Sequence, residues 1–308
     1  MLLRIKRDSK LGANIVKNTD LYIFLIPTVL YFVIFHYTPM AGVQLAFKKY
    51  YAVRGIWGSP FIGFKHFIDF FNYYQFWQII RNTLTLSIYQ LVLNTIIPFV
   101  LALLINQIPS KGFKKVLQTI TYAPHFISVI VLVGIMYIFM SPGSGIINHF
   151  IRALGGNAYF FFGESGAFSH IYVWSGVWQN TGWGTIIYLA ALSNISPDLH
   201  EAAMVDGASK MQRIRHIDVP GIVPTAVIIL ILNAGRIMNI GFQKAFLMQN
   251  SLNISASEII PTYVYKSGLL NFRFEYATAV GLFNSVINLI LILLVNRTAR
   301  TLNQNSLW

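Results

Sequence analysis

The residues best placed to do chemistry lie in one short polar stretch, residues 201–220, which reads EAAMVDGASKMQRIRHIDVP between two long apolar runs. The chemistry they suit is recognition of a partner. Just upstream, Ser196 is a good N-cap and Pro197 a good first helical residue, so a helix is predicted to start there. It carries Leu199, Ala202 and Val205, with Asp198 and Glu201 near the positive end of the helix dipole. Gly207 permits a reversal. Ser209 and Gln212 then form a capping box for a second helix, whose stripe of Met211, Ile214 and Ile217 is expected to end at Pro220. A helix, a glycine turn and a helix of this size cannot bury their own apolar ridge. A partner's groove would cover it, and a capped connector lying on lipid headgroups is the other reading.

Enzymatic chemistry finds no matching pattern. The chain has no GxxxxGK[ST] phosphate loop, no HExxH, no GxSxG and no His/Cys/Asp spacing for zinc. It has no cysteine, which excludes disulfides and thiolate metal sites. All ten acidic residues fall in loops or at the ends of apolar runs, leaving His36 and His125 as the groups a proton relay in a membrane would use. The two are not spaced as a chain, and packing or a satisfied hydrogen bond is the simpler role.

The elements that hold these residues must be membrane helices. Of 308 residues, 55% are hydrophobic and 11% charged, too apolar for a soluble domain of this size. The net charge of +13 comes from basic residues scattered through loops, which suits anionic lipid better than nucleic acid. Runs long enough to cross a bilayer, about 20 residues, occur near 21–46, 82–106, 117–140, 168–192, 221–243 and 276–296, predicting an all-α integral membrane protein with six transmembrane helices. Residues 21–47 are too long for the core of a signal peptide and lack an A-x-A cleavage site, so they read as a retained first helix. Lys111, Lys114 and Lys115 follow the second run, whereas Arg152 and Glu164 follow the third. The positive-inside rule then puts both termini and residues 201–220 in the cytoplasm. The first external connection is basic too, with Lys48, Lys49, Arg54 and Lys65. There Phe61, Phe64, Phe67, Ile68 and Phe71 suggest a helix lying in the interface, with Tyr73, Tyr74 and Trp77 as an aromatic belt. The expected organisation is a basic N-terminus, 1–20, a helical core, 21–300, bearing the polar loop 194–220, and a tail, 301–308.

The order Glu201, Ala202, Ala203, then Asp206, Gly207, Ala208, then Ile217 and Pro220 matches in type and spacing the EAA loop of ABC-importer membrane subunits, and the chain resembles that family. Ile214 stands where the family usually has Phe, and Val219 where it usually has Leu; both keep an apolar side chain. Gly63-Phe64, Asn82-Thr83-Leu84, Pro124 and Gly145-Ile146-Ile147-Asn148 are similar to the sugar-importer branch, and within it to the subgroup associated with polysaccharide and oligosaccharide import, including uronate-rich oligosaccharides. The likeness runs from about residue 20 to the C-terminus, without the extra N-terminal helices and large external domain of some maltose-type permeases.

The resemblance implies a type I ABC-importer permease fold in a bacterial cell membrane. It implies that the loop is a coupling helix seated in a cleft of a cytoplasmic ATPase subunit, with Met211 and Ile214 among the docking residues. No cofactor is then expected in this chain, since ATP and Mg would be held by two ATPase subunits. A distinct second permease subunit would complete the path. An extracytoplasmic solute-binding protein would deliver an oligosaccharide, docking on residues 61–77 and 141–162.

A sugar path needs hydrogen-bonding groups and flat rings facing a wet cavity. The fourth run supplies Trp178, Gln179, Asn180, Thr181 and Trp183, and the fifth Asn233, Arg236 and Asn239. Arg236 is read either as a contact for hydroxyls or an acidic sugar's carboxylate, or as a group that snorkels to the outer headgroups with Lys244. Asn180 and Asn233 also suit interhelical hydrogen bonds, and the two tryptophans also suit packing. Three rival readings keep the membrane class. They are an importer of amino acids, peptides or anions, a transporter driven without ATP, and a scaffold whose polar loop only binds a partner.

Overall fold

The structure, a computed structural model, describes residues 17–235, 237, 238 and 240–301. Most of the expected basic N-terminus and C-terminal tail, together with Arg236 and Asn239, lie outside the described residues. Among the described residues the chain is helical throughout, apart from an isolated bridge between Lys48 and Phe61. Backbone groups facing hydrocarbon have no water to bond, so each segment must satisfy its own, and the helix does so. The helices used below are α1 (Thr19–Phe32), α2 (Phe76–Asn106), α3 (Lys111–Tyr122), α4 (Val129–Phe139), α5 (Ser165–Ser193), α6 (Pro197–Val205), α7 (Lys210–Arg213), α8 (Val219–Ala234), α9 (Phe242–Met248) and α10 (Phe274–Thr301).

Four continuous helical stretches are long and apolar enough to cross a membrane: Thr19–Phe47, Phe76–Asn106, Lys210–Ala234 and Phe274–Thr301. A fifth arises if Lys111–Phe126 and Val129–Phe139, bent by 97°, count as one span. That bend corrects the expectation of one straight helix over 117–140. The break falls after Pro124, at Ile127 and Ser128, while Ala123 before the proline keeps helical geometry. The chain tightens over Ala123–Phe126, extends at Ile127 and restarts with the Ser128 hydroxyl accepting from Val131 N–H at 3.3 Å. Helix α5 is as long as the others, but its tryptophans and amides make it less apolar.

Two prolines that look like helix stops are not. The expected end at Pro220 is overturned, because α7 and α8 form one continuous helix, Lys210–Ala234. Just before the proline, Val219 N–H bonds to Ile214 C=O, a five-residue return that widens the turn. The wide turn removes the need for a donor at Pro220 and the clash its ring would cause. The same device precedes Pro39, where Thr38 N–H bonds to Val33 C=O. At its other end α8 stops at Ala234, short of the expected 243, and the following chain is pinned by Met238 N–H to Asn288 Oδ1 at 3.0 Å.

The core packs in three apolar clusters. One gathers Leu86, Leu132, Phe168, Tyr172 and Met248 around the N-terminal halves of α2 and α5. A second gathers Phe70, Ile79, Met238, Ile260 and Tyr276 beside α10. A third, with Ala102, Leu103, Tyr188, Leu192 and Ile222, lies at the end bearing α6 and α7. Helix α5 approaches the end of α3 so closely that a Cβ on Gly182 would overlap the Thr121 carbonyl. By contrast, residues 19–40 bury nothing; Phe24, Phe35 and Tyr37 on α1 and its continuation are all exposed, and packing begins only at Ala46. The interface segment agrees in part with expectation: Phe61, Phe64, Ile68 and Phe71 are exposed, while Phe70 is a core residue.

The lobe around residues 248–262 is held by buried amides. Asn253 donates to the carbonyls of Phe162 (3.0 Å) and Met248 (2.9 Å), and its Oδ1 accepts from Asn250 N–H (3.0 Å) and Ser257 Oγ (2.9 Å). Asn253→Ala leaves the Asn250 N–H and the Ser257 hydroxyl without that acceptor, a cost of about 1–3 kcal/mol per group, while the Phe162 carbonyl keeps Asn250 Nδ2 at 2.7 Å and the Met248 carbonyl keeps the Tyr137 hydroxyl at 3.4 Å. The purified variant should therefore melt well below the parent, and an unchanged melting temperature would show that this network does not hold the lobe.

Candidate functional site

The polar segment folds as a rigid hairpin. Ser196 Oγ accepts from Asp198 N–H at 3.3 Å and opens α6. The helix ends with Ala208 N–H on Ala203 C=O at 2.8 Å and Gly207 N–H on Met204 C=O at 3.1 Å, the paired bonds of a Schellman turn. Gly207 adopts φ +76°, a conformation that costs a residue bearing a Cβ about 1–2 kcal/mol. The predicted capping box is present: Ser209 N–H donates to Gln212 Oε1 at 2.7 Å, and Gln212 N–H to Ser209 Oγ at 3.4 Å.

A buried carboxylate fastens this hairpin to the membrane helices. Asp218, 1% exposed, accepts from Gln107 Nε2 at 2.9 Å at the end of α2. Its other oxygen lies 3.2 Å from His200 Nε2 on α6, an ionic contact whose angle falls outside hydrogen-bond geometry. Lys210 Nζ donates to the Gln107 carbonyl at 3.3 Å, closing the clamp from α7. The sequence reading missed Asp218, Gln107 and His200, because their separations along the chain carry no local signal.

The clamped hairpin presents an apolar face to the outside. Val205 is 89% exposed and Met211 71%, with Leu199 and Met204 beside them and Glu201, Ala202, Asp206 and Gly207 also exposed. Ala203, Ala208 and Ile217 are half-buried, and Pro220 is exposed where the helix leaves the segment. Ile214 departs from expectation. It packs against the cluster of Ala102, Tyr188 and Ile222, so the stripe of Met211, Ile214 and Ile217 is divided between the protein's own core and its surface. The wide turn starting at Ile214 rotates this side chain inward.

The residues expected on a sugar path do not converge. Gln179 is buried and donates to the Ile127 carbonyl at 2.7 Å, satisfying a group freed where α3 and α4 break. Asn180 donates to the Gly176 carbonyl at 2.9 Å, and its Oδ1 takes the His125 Nδ1 proton at 3.0 Å. Trp183 stacks on His125 with centroids 4.5 Å apart, which also accounts for that histidine without a relay. Trp178 is exposed on another face of α5, since five residues at 100° each leave about 140° between the two indoles. Thr181 is buried against the bundle.

Asn233 alone of the described candidates borders a polar cavity. That cavity, about 170 Å³, lies between α2 and α8 and is lined by Ser87, Gln90, Asn94, Asn233, Ile240 and Gly241. Ser87, Gln90 and Asn94 share one face of α2 by their spacing of three and four residues, a pattern visible in the sequence but overlooked there. Lys244, which one reading sends to the headgroups, is 7% exposed and donates to the Tyr172 carbonyl. A larger concavity of about 860 Å³ beside α10 is walled by Val43, Leu45, Phe242, Leu269 and Leu282 and offers a sugar little to hydrogen-bond.

Apolar helices that enclose amides, with an amphipathic hairpin hung on one end, suit a membrane transport subunit. Comparison with known proteins gives the same class: the chain belongs to the family described as the inner membrane component of binding-protein-dependent transport systems, which matches residues 94–304. It is 42% identical to Protein LplB of Bacillus subtilis (strain 168), covering 96% of this chain and 93% of that one. It is 36% identical to the polygalacturonan/rhamnogalacturonan transport system permease protein YteP of the same organism, covering 100% of this chain and 96% of that one. A bacterial ABC transporter involved in the import of the acidic polysaccharide alginate has a solved chain with TM-score 0.89 and 39% identity, covering 95% of this chain and 99% of that one. A second structure of a bacterial alginate ABC transporter, in complex with an alginate pentasaccharide-bound periplasmic protein, gives TM-score 0.90 and 38% identity, covering 97% and 100%.

The clamp predicts a local effect. Asp218→Ala strands the Gln107 amide and frees α6, so amide hydrogen exchange over residues 196–213 should accelerate at least tenfold, with a smaller change for Asp218→Asn, which keeps one acceptor. Equal protection in all three proteins would mean the hairpin is held by other contacts.

Proposed function

We propose that this chain is one of two unlike permease subunits of an ATP-driven importer, forming half of the path for an oligosaccharide rich in uronic acids. The observation that carries this reading is the clamped hairpin over residues 196–220, an exposed apolar face on a lever continuous with a membrane helix. A cytoplasmic ATPase subunit binds that face, with Val205, Met211 and Leu199 in its cleft and Glu201 and Asp206 at the rim. ATP and Mg stay with the two ATPase subunits. Their closure and opening tilt the Lys210–Ala234 helix as one body, biasing the subunit pair between outward-open and inward-open arrangements.

The six-span count follows if α5 and the bent pair of α3 and α4 join the four apolar stretches, with both termini in the cytoplasm. The exposed flank of residues 19–40 supports the reading of a two-subunit path, since a helix that buries nothing in its own chain is free to pack on another. A solute-binding protein docks on residues 61–77 and 141–162, where Phe61, Tyr74, Phe150 and Leu154 are exposed. The cargo class rests on the similarity to the polygalacturonan/rhamnogalacturonan permease and the alginate importer.

Gly207→Pro removes a donor and demands φ near −65° where the turn has +76°, and Glu201→Lys reverses a charge on the docking rim. Reconstituted with its partners, either variant should remain in the membrane but lose substrate-stimulated ATP hydrolysis by about tenfold or more, the scale of a disrupted interface anchor. Wild-type stimulation in both would refute the coupling role. A parent complex stimulated by amino acids or inorganic anions, and by no oligosaccharide, would refute the cargo.

A further inference from the structure

The polar cavity between α2 and α8 combines two unmet demands. The first is for hydrogen-bond donors. Gln90 Oε1 and Asn94 Oδ1 are buried without a partner, side by side along one face of α2. Burying an amide oxygen unpaired is unfavourable, so such atoms mark a place where something with a hydroxyl or N–H belongs. The second demand is for negative charge. Lys244 is 7% exposed, yet the ion pairs among the described residues are Lys266 with Glu258 and His200 with Asp218, and no described carboxylate meets Lys244. Its ammonium donates to the Tyr172 carbonyl at 2.6 Å and lies 4.8 Å from the centroid of the Tyr172 ring. Both contacts offer partial negative charge and neither is a carboxylate; burial lowers the pKa of the ammonium to about 7, a penalty that a carboxylate beside it would offset.

The two demands are neighbours. Gly241 lines the cavity and Lys244 follows three residues later. A Cβ built on Gly176 of α5 would stand 3.2 Å from Lys244 Nζ and 3.9 Å from Gln90 Nε2, so the ammonium and the cavity amide crowd the same bare stretch of α5. Any larger residue at Gly176 would push the ammonium aside. The cavity, about 170 Å³, is smaller than the roughly 300–1,000 Å³ typical of whole-ligand sites. It has room for the edge of one sugar residue in a longer chain.

On the reading that the cargo is an acidic oligosaccharide, we infer that Lys244, Gln90 and Asn94 form a subsite in which one uronic acid residue sets its carboxylate against the ammonium and its hydroxyls against the two amide oxygens. A neutral hexose would supply the hydroxyls and leave the charge unmet. A small inorganic anion would meet the charge and leave the amides unsatisfied. A uronate does both.

The test uses the whole reconstituted complex with its binding protein, and two probes: galacturonic acid trimer as the free acid and as its fully methyl-esterified form, which has the same ring hydroxyls and no charge. ATP hydrolysis stimulated by each is compared between parent and Lys244→Gln, which keeps a donor for the Tyr172 carbonyl and removes the charge. The acid-to-ester ratio should exceed ten in the parent and fall at least fivefold in Lys244→Gln. An unchanged ratio in the variant, or equal stimulation by the two probes in the parent, overturns the subsite while leaving the importer reading intact. If Lys244→Gln does not assemble, Asn94→Leu decides: it should depress the responses to acid and ester together, and undiminished responses overturn the subsite. Silence of the parent complex to both trimers, with a motor active without substrate, would instead defeat the cargo reading.

Discussion

The contact between Asp218 and its neighbours governs how the rest of the molecule can work. A carboxylate buried at 1% exposure would be a liability in an apolar bundle, and here it gathers Gln107 from the end of α2 and His200 from α6. Breaking a buried charged contact by deleting one partner typically costs about 3–5 kcal/mol, more than most single packing contacts supply. The hairpin is thereby an extension of the membrane helices instead of a loop tethered at two ends. Force applied to its exposed face passes into α2 and α8.

The second requirement is that the lever be continuous through a proline. A normal helix turn at Pro220 would leave the ring against a carbonyl and kink the rod just where it enters the membrane. The five-residue return at Ile214–Asp218 avoids this and also turns Ile214 inward onto Ala102 and Tyr188. One local irregularity thus preserves the rod, seats the hairpin and decides which apolar side chains remain for a partner. The cost is one widened turn, and Pro224 further along the same helix removes one more backbone donor.

Local chemistry explains which parts were legible in the sequence. The cap at Ser196, the turn at Gly207 and the box of Ser209 and Gln212 each depend on residues within four positions of one another, and the structure contains all three. Positions of the apolar runs were readable for the same reason, since length and hydropathy are local. What the sequence did not reveal depended on distant partners. Gln179 bonds to the Ile127 carbonyl, and Asn180 meets His125 across the bundle, contacts that no local pattern announces. Pro124 and Pro220 look alike in sequence; the first lies three residues before a 97° break at Ile127 and Ser128, and the second is absorbed behind a widened turn. Lys244 resembled a headgroup anchor because nothing adjacent reveals that Tyr172 covers it.

The central claim is that the face around Val205 meets the ATP-hydrolysing subunit. The chain has no cysteine, so Val205→Cys and, in the connection between α1 and α2, Val53→Cys each give a unique attachment point for a short photo-cross-linker. Both positions are open, at 89% and 101% exposure. In the assembled complex the account predicts cross-linking from position 205 to an ATPase subunit and none to that subunit from position 53. ATPase captured from position 53 and not from 205 would contradict it.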